Sequence, residues 1–278
     1  IAAGNGEVTA VLNSGAIGVD SVNDFAVVWA QNSNAYFNEF RPNIGWKFNA
    51  TFPHTVWSTA VDVQDSGMDI EFDSYGNGYA TYVNTTPAIR VARWRGTTAT
   101  RLDNTGVDHQ TIANGASCTT PFGNPRIFVA NDGTAHLFYY CDNNVLVGAN
   151  NSTLMYSTAA GANDPAPAAF SVASRFDTNV GSALIDATMI DNGDTLPPIL
   201  THRGSQAAIG FLKFSGVNTL LHVFVHSNGS WSSIGGPVTA TNLPFTDVNW
   251  ADLSINSSGV IAAVFSVNLS SLGIERVY

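Results

Sequence analysis

The sequence predicts an all-β protein, a five-bladed β-propeller that forms a single domain over residues 1–278. The first observation is Met68–Tyr82, which has the pattern of two extended runs joined by a tight turn of Gly and Asn. The second is repetition, because similar stretches start roughly 50 to 66 residues apart, at Ile17–Ala30, Pro125–Tyr140, Ile185–Thr201 and Ala251–Ser266. A period of this length indicates a propeller rather than a two-sheet sandwich. The third is that no segment combines a sustained helical period with helix caps, so we expect almost no helix.

The second repeat shows how each blade is expected to form from four short strands. We predict them at Met68–Asp73, Gly78–Val83, Ile89–Trp94 and Thr98–Leu102. Apolar and acidic residues alternate in the first strand, so the side chains of Asp69 and Glu71 should share one face, opposite Ile70. The first turn of each later repeat contains a glycine that tolerates positive φ, at Gly78, Gly133, Gly193 and Gly259.

The two ends of the chain are expected to complete one blade together. The last repeat continues only with Leu272–Tyr278, and the N-terminal Glu7–Leu12 has a strand pattern with no repeat of its own. We therefore expect this N-terminal strand to join the last blade and close the ring, which removes exposed sheet edges. Six blades remain an alternative if Ile185–Asn249 contains a further one. The chain begins at Ile1, and we expect a mature or excised fragment.

Three turn regions resemble the Asp-box, or neuraminidase-repeat, type of bacterial secreted β-propeller. They are DSYGNGYATY, ANDGTAHLFYY and NSSGVIAAVFS. The strict motif, Ser-x-Asp-x-Gly-x-x-Trp, ends in a Trp that none of these turns carries. The resemblance implies the fold class only, since such folds serve as lectins, glycosidases and scaffolds alike.

Composition excludes several classes of partner. The net charge is −10 and only 12% of the residues are charged, whereas a nucleic-acid-binding protein needs a basic face. No apolar run is long enough to insert into a membrane as a helix. The chain carries no nucleotide-binding glycine loop, no serine nucleophile elbow and no zinc spacing. We therefore expect no cofactor and no dedicated metal site, with calcium left open for the aspartates described below.

The two cysteines, Cys118 and Cys141, fall at related places in the third repeat. Spacing alone leaves a free pair and a disulfide equally open. The repeat register, however, places Cys118 before the first strand of the blade and Cys141 at the end of its second strand, on one face of the propeller. We therefore predict a disulfide, which would indicate an oxidising compartment.

Alignment of the repeats on their turns predicts a ring of polar residues. Gly18, Asp69, Arg126, Asp186 and Asp252 fall at one level of the inner strands, near the face where the chain crosses between blades. One interpretation is structural, with each Asp accepting hydrogen bonds from the backbone of its incoming loop. The others are a hydrated cation site, polar anchors for a sugar, and an acid–base pair.

Four further residues are expected on the same face as this ring. Trp57 and Trp250 are predicted in the loops that enter the second and fifth inner strands, where an indole offers a platform for a sugar ring. His202 and Arg203 are predicted in the loop after the second strand of the fourth blade. Together with Asp69, Arg126, Asp186 and Asp252, they form the predicted ligand-binding set.

Three functions are weighed. The leading prediction is a non-catalytic, carbohydrate-binding recognition domain, a lectin or adhesin tip that is secreted or on the cell surface, binds a glycan or another cell-surface ligand, and oligomerises if it belongs to a fibre. The first alternative is a glycoside hydrolase that uses Asp69, Asp186 and Asp252. The second is a protein-interaction scaffold. The leading prediction includes no catalytic residue.

Overall fold

A computed structural model describes the following residues of the chain: 14–19, 25–31, 34–42, 45–46, 56–59, 67–73, 78–84, 88–94, 108–114, 118, 120–142, 152–160, 169–176, 198–215, 218–234, 247–269 and 274–277. The elements of this part are β-strands, so the all-β prediction is confirmed. None of the helices within these ranges is long and apolar enough to cross a membrane. The predicted closing strand, Glu7–Leu12, and the predicted turn glycine Gly193 lie outside the described residues.

The chain divides into two compact units. Unit 1 comprises Ile1–Ala113, Pro121–Tyr139 and Ser157–Val172, and unit 2 comprises Asn114–Thr120, Tyr140–Tyr156 and Ala173–Tyr278. Each unit is described below by itself. The assignment of residues 1–278 to one domain stays a prediction.

The first sheet of unit 1 has the strand order β1-β2-β3-β4, and a further strand, β5, pairs with β3. The strands are β1 (Ser14–Val19), β2 (Phe25–Gln31), β3 (Asn34–Arg41), β4 (Gly45–Trp46) and β5 (Val56–Thr59). Strands β1 and β2 form the antiparallel hairpin predicted for the first repeat, with Gly18 opposite Ala26.

The second sheet has the order β6-β7-β8-β9, and all its neighbours are antiparallel. The strands are β6 (Asp69–Phe72), β7 (Gly78–Asn84), β8 (Ala88–Trp94) and β9 (Asp108–Thr111). The first three match the predicted strands of the second repeat. The prediction of a fourth strand at Thr98–Leu102 lies outside the described residues, and the described fourth strand is β9 instead.

Alternation along β6 explains how the two sheets of unit 1 pack. Ile70 and Phe72 are buried, whereas Asp69 and Glu71 on the other face are half-buried. The buried face joins a core with Ala26, Val28, Ala80 and Tyr82, among others. Fully burying an aliphatic or aromatic side chain contributes about 1.5 to 3 kcal/mol, so this face fixes which side of β6 carries its acids.

A side-chain amide joins β9 to a distant segment of unit 1. Gln110 donates from Nε2 to the carbonyl oxygen of Phe170 at 3.1 Å, and its Oε1 accepts from the Phe170 N–H at 2.8 Å. Ser157 and Ser171 add a second link, since the Ser157 hydroxyl donates to the Ser171 carbonyl at 2.7 Å. These bonds satisfy backbone groups of Phe170 and Ser171.

The third sheet has the order β10-β11-β12-β13. Its strands are β10 (Thr120–Val129), β11 (Ala135–Asp142), β12 (Ser152–Ala159) and β13 (Ser174–Arg175). The turn between β10 and β11 is the predicted one: Gly133 has φ +82°, and the Asp132 carboxylate accepts from the Thr134 N–H at 2.9 Å.

The fourth sheet, in unit 2, has the order β14-β15-β16-β18-β19-β20, with β17 paired to β16. The strands are β14 (Ile199–Arg203), β15 (Gln206–Ser215), β16 (Asn218–Ser227), β17 (Ser230–Ser233), β18 (Asp247–Ile255), β19 (Ile261–Leu269) and β20 (Ile274–Val277). The hairpin β18–β19 is the predicted fifth repeat, and its turn residue Gly259 has φ +76°.

Aromatic side chains form a cluster within unit 2. Phe176 makes edge contacts with Tyr156, Phe224 and Trp231, with ring centroids 5.2 to 5.7 Å apart. The indole N–H of Trp231 donates to the Tyr156 hydroxyl at 3.3 Å. Burial of this hydroxyl raises the pKa of Tyr156 to about 12, and the Trp231 bond opposes the rise. The cluster is therefore packed core.

Candidate functional site

The candidate site lies in unit 1, where Asp69 at the start of β6 faces the backbone of β10. Its Oδ2 accepts from the N–H of Ile127 at 2.9 Å, and its Oδ1 accepts from the N–H of Ile70 at 3.0 Å. The structural interpretation of this residue has it bond the backbone of its own incoming loop; the distant partner is instead Ile127 on β10. The carboxyl group of Asp69 therefore connects β6 to β10.

Burial dominates the electrostatics of Asp69. Loss of water around the carboxyl group raises its pKa from the ordinary 3.8 to about 6. The charge of Arg126 and the bond from Ile127 act in the opposite direction, the charge of Glu71 adds to the rise, and the bond from Ile70 lowers the pKa again. Around pH 6 this carboxyl group is therefore about half protonated, whereas an ordinary aspartate is almost fully ionised.

Glu71 is the site residue that the predicted ligand-binding set omits. It shares the half-buried face of β6 with Asp69, and its negative charge reaches the Asp69 carboxyl group. The alternation Asp-Ile-Glu carried this signal, because residues two apart on a strand point to one side. The structure thus groups two carboxyl groups on a single strand.

Arg126 lies next to the residue that bonds Asp69. It is half-buried on β10, and one guanidinium nitrogen is 3.5 Å from the carbonyl oxygen of Pro125. Its positive charge lowers the pKa of Asp69, so the guanidinium group acts on the carboxyl group directly. The structure therefore brings Asp69 and Arg126 together, as the alignment of the repeats predicts.

Gly18 occupies the same level on β1, and a close approach explains why it is glycine. A Cβ atom there would stand 3.0 Å from the carbonyl oxygen of Ile70 and 3.1 Å from a ring carbon of Phe72. Strand β1 thus packs against β6 so closely that position 18 has no room for a side chain. Gly18 therefore contributes no polar side chain to the site.

Three other predicted site residues, Asp252, His202 and Arg203, are in unit 2. Asp252 on β18 is exposed, and its Oδ1 accepts from the N–H of the next residue, Leu253, at 2.8 Å. His202 and Arg203 end β14 and pair with β15. The prediction that they lie in a loop is wrong, because both residues belong to the strand β14 itself.

The prediction that the two candidate tryptophans lie in loops is also wrong. Trp57 belongs to β5, which pairs with β3, and Trp250 belongs to β18, where it is opposite Ser266. Both tryptophans stand next to residues that are typical of loops, but the paired strands extend to include them. Asp186 lies outside the described residues. The convergence of all five aligned positions on one ring stays a prediction.

The predicted disulfide is present in unit 2. Cys118 and Cys141 are bonded, with their Cα atoms 5.5 Å apart, and the side chain of Cys141 is fully buried. Within the described ranges, no group of three His, Cys, Asp or Glu side chains is arranged to hold a metal ion. A calcium site at the aspartates stays a prediction, since Asp186 lies outside the described residues.

The sequence matches no protein-family model and no curated protein. It does resemble solved structures. An α-L-arabinanase of Penicillium chrysogenum matches with TM-score 0.51 and 11% identity, over 94% of this chain and 78% of that one. An endo-arabinase from Bacteroides thetaiotaomicron matches with TM-score 0.42 and 10% identity, over 97% and 94% of the two chains. A thermostable family-43 glycoside hydrolase matches with TM-score 0.41 and 10% identity, over 94% and 85%.

The likeness to the arabinanase shows the fold and corrects the leading functional prediction. The matched arabinanase is a β-propeller glycoside hydrolase, so the predicted propeller fold is confirmed, while the number of blades and the closure of the ring stay predictions. The expectation of a non-catalytic recognition domain, a lectin or adhesin tip, is wrong by this comparison, because the arabinanase, which shares the fold, is an enzyme.

Proposed function

We propose that this chain is a glycoside hydrolase in which Asp69 is the general acid and Glu71 is the second carboxyl group. The observation that carries the proposal is the pair of carboxyl groups on one face of β6, of which Asp69 has a pKa raised to about 6. A pair of carboxyl groups, one of them protonated, is what the hydrolysis of a glycosidic bond requires. The likeness in fold to a propeller arabinanase supports this choice.

The spacing of the two groups suits the reaction. Residues two apart on a strand have Cα atoms about 6.5 Å apart. Glycoside hydrolases hold their two carboxyl groups about 5 to 9.5 Å apart, according to how the second group acts. Asp69 and Glu71 therefore have a suitable backbone separation without any rearrangement of β6.

The chemistry follows from the state of each group. Protonated Asp69 donates its proton to the glycosidic oxygen as the bond from that oxygen to the anomeric carbon breaks, and Glu71 takes a proton from the water that attacks this carbon. Each Asp69 oxygen accepts one backbone N–H and has a second lone pair, so the proton binds without loss of the bonds to Ile70 and Ile127. These backbone bonds hold the acid in one orientation.

The proposed setting is extracellular, with a glycan as the substrate. The support is the disulfide between Cys118 and Cys141, since such bonds persist in oxidising compartments and are rare in reducing ones. The proposal covers both a secreted protein and one attached to a cell surface, because a disulfide persists in either setting.

The test is to incubate the protein with a panel of plant and microbial polysaccharides and nitrophenyl glycosides. Hydrolysis is measured as the release of reducing ends or of nitrophenol. Wild-type protein should cleave at least one substrate, and Asp69→Asn should lower kcat by about 100-fold or more, because general acid catalysis contributes about 10²- to 10⁴-fold. Glu71→Gln should also lower kcat. Asp132→Asn is the matched control, since this carboxylate is exposed and accepts a bond from the N–H of Thr134 in its own turn. Equal activity of Asp69→Asn and wild type would contradict the proposal.

A further inference from the structure

The short turn between β16 and β17 carries a feature that the hydrolase proposal does not use. It reads Asn228-Gly229-Ser230, which is the Asn-x-Ser/Thr acceptor sequence for N-linked glycans. We propose that Asn228 is an N-glycosylation site, which takes an oligosaccharide from a lipid-linked pyrophosphate donor during secretion. This inference rests on the proposed extracellular setting and is independent of the hydrolase mechanism.

The sequence alone does not single out this position. The chain contains seven Asn-x-Ser/Thr sequences, and a chain so rich in Asn, Ser and Thr has several of them from its composition. Three of the acceptor asparagines lie outside the described residues, namely Asn49, Asn150 and Asn151. The structure distinguishes among the other four, which are Asn84, Asn228, Asn256 and Asn268.

Asn228 stands at the tip of a hairpin. Ser227 pairs with Ser230 across the turn, so Asn228 and Gly229 form a two-residue loop, and their φ angles of 52° and 76° are both positive. Two positive φ angles are what a type I′ turn requires, and Asn-Gly is its preferred pair. Asn228, Gly229 and Ser230 are all exposed. The whole acceptor sequence is therefore in contact with solvent.

The surroundings of this tip leave room for a glycan. A Cβ atom at Gly229 would meet no other atom within 4 Å. Among the described residues, the side-chain amide of Asn228 makes no hydrogen bond. An N-linked glycan is bulky and needs a surface asparagine with free space around its amide. The turn at Asn228 meets this requirement.

The amide of Asn256, in another exposed turn, is held by its own backbone. Its Oδ1 accepts from the N–H of Ser258 at 2.8 Å and from the N–H of Val260 at 2.9 Å, so the amide has a fixed place against the turn. Asn84 is half-buried in the paired strand β7, and Asn268 lies in the paired part of β19. Asn228 is therefore the acceptor that this part of the chain offers best.

The transfer reaction forms one bond and breaks one. The side-chain nitrogen of Asn228 bonds to the anomeric carbon of the first sugar, and the bond from that carbon to the pyrophosphate oxygen of the donor breaks. The nitrogen gives up one proton, and the lipid pyrophosphate is the leaving group. The transferase recognises the Ser230 hydroxyl as the third position of the acceptor sequence.

A glycan at this tip would shield an edge of the sheet. In the described part of the chain, β17 pairs with β16 alone, so its outer side has no described strand partner. Ile234, directly after β17, is 51% exposed. Unpaired strand edges promote association between chains, and a hydrophilic glycan beside such an edge opposes it. The modification therefore lowers self-association of the secreted protein.

The test is peptide mapping by mass spectrometry of the full chain, purified from the culture medium of the organism that makes it, before and after treatment with a peptide-N-glycosidase. The peptide that contains Asn228 should carry a glycan, and the enzyme should remove it and leave aspartate at this position. Ser230→Ala, secreted from the same cells, should lose this glycan. Asn256→Gln is the matched control, since it removes an acceptor sequence from another exposed turn and should keep the glycan on Asn228.

The outcomes separate this inference from the hydrolase proposal, because none of these measurements uses hydrolysis of a substrate. Unmodified Asn228 in the secreted protein would overturn the inference, whatever the activity. A glycosylated protein that cleaves no substrate would contradict the hydrolase alone. Light scattering of folded wild type and Ser230→Ala, checked by circular dichroism, tests the shielding of β17: the variant should scatter more on heating, and equal scattering would overturn that role of the glycan.

Discussion

Replacing Asp69 by Asn should remove a specific pH dependence from the stability of the protein. In the folded protein the pKa of Asp69 is about 6, whereas its ordinary value is 3.8. Between these two values the folded state binds the proton more tightly than the unfolded chain does. The contribution of Asp69 to the free energy of unfolding should therefore decrease as the pH rises from 3.8 to 6, and level off above 6.

The size of this effect follows from the difference of about two pH units between folded and unfolded states. One unit corresponds to about 1.4 kcal/mol, so Asp69 alone accounts for about 3 kcal/mol of stability well below pH 3.8, of which about 2.4 kcal/mol is present at pH 4 and almost none at pH 7. The Asn side chain does not titrate. It also turns an NH₂ group toward one of the two backbone donors, which costs about 1 to 3 kcal/mol at every pH and so shifts the curve without changing its slope.

The assay is urea denaturation of wild type and Asp69→Asn at pH 4, 5, 6 and 7, followed by tryptophan fluorescence. The difference between the two free energies of unfolding should change by about 2.4 kcal/mol over this range, in favour of the variant at the higher pH. Asp132→Asn should show no such trend. Parallel curves would refute the raised pKa. A wild type that gains stability with pH relative to the variant would show that Asp69 is a structural acceptor whose ionised form stabilises the fold.

Three further predictions concern stability in the same assay. Gly18→Ala should cost about 1 to 3 kcal/mol, because the new methyl group meets the backbone oxygen of Ile70 at 3.0 Å, and unchanged stability would contradict the close packing of β1 on β6. Cys118→Ser should cost about 3 kcal/mol in the absence of reductant, and a reductant should then destabilise wild type but not the variant. Gln110→Glu should cost about 1 to 3 kcal/mol at pH 7, since a carboxylate cannot donate to the carbonyl oxygen of Phe170; equal stability would show that this clamp contributes nothing.

The hairpins could be predicted from the sequence because their signals are local. Alternation in Asp69–Phe72 and turns such as Asp132-Gly133 act over a few residues, and the structure has strands and a positive φ at the expected places. Outer strands carry weaker signals. Strand β9 was missed since its sequence, DHQT, lacks apolar alternation, and a side-chain clamp from Gln110 supports its edge instead.

The candidate site could be predicted only in part. The alignment of repeats placed Asp69 and Arg126 at one level, and the structure has them on β6 and β10 in electrostatic contact. It could not reveal that the Asp69 carboxylate bonds the N–H of Ile127, which is 58 residues away. Nor could it give the pKa, because burial of the carboxyl group depends on how whole sheets pack. Trp57 and Trp250 were misplaced for a similar reason, since strand ends depend on pairing partners.

The pH dependence of kcat/KM on a cleaved substrate tests the central claim most directly. A general acid must be protonated to act, so kcat/KM should fall as the pH rises through about 6, the pKa of Asp69 in the free protein. This limb should be absent from the residual activity of Asp69→Asn and unchanged in Asp132→Asn. A falling limb near 6 that persists in Asp69→Asn would assign the acid to another residue and contradict the account.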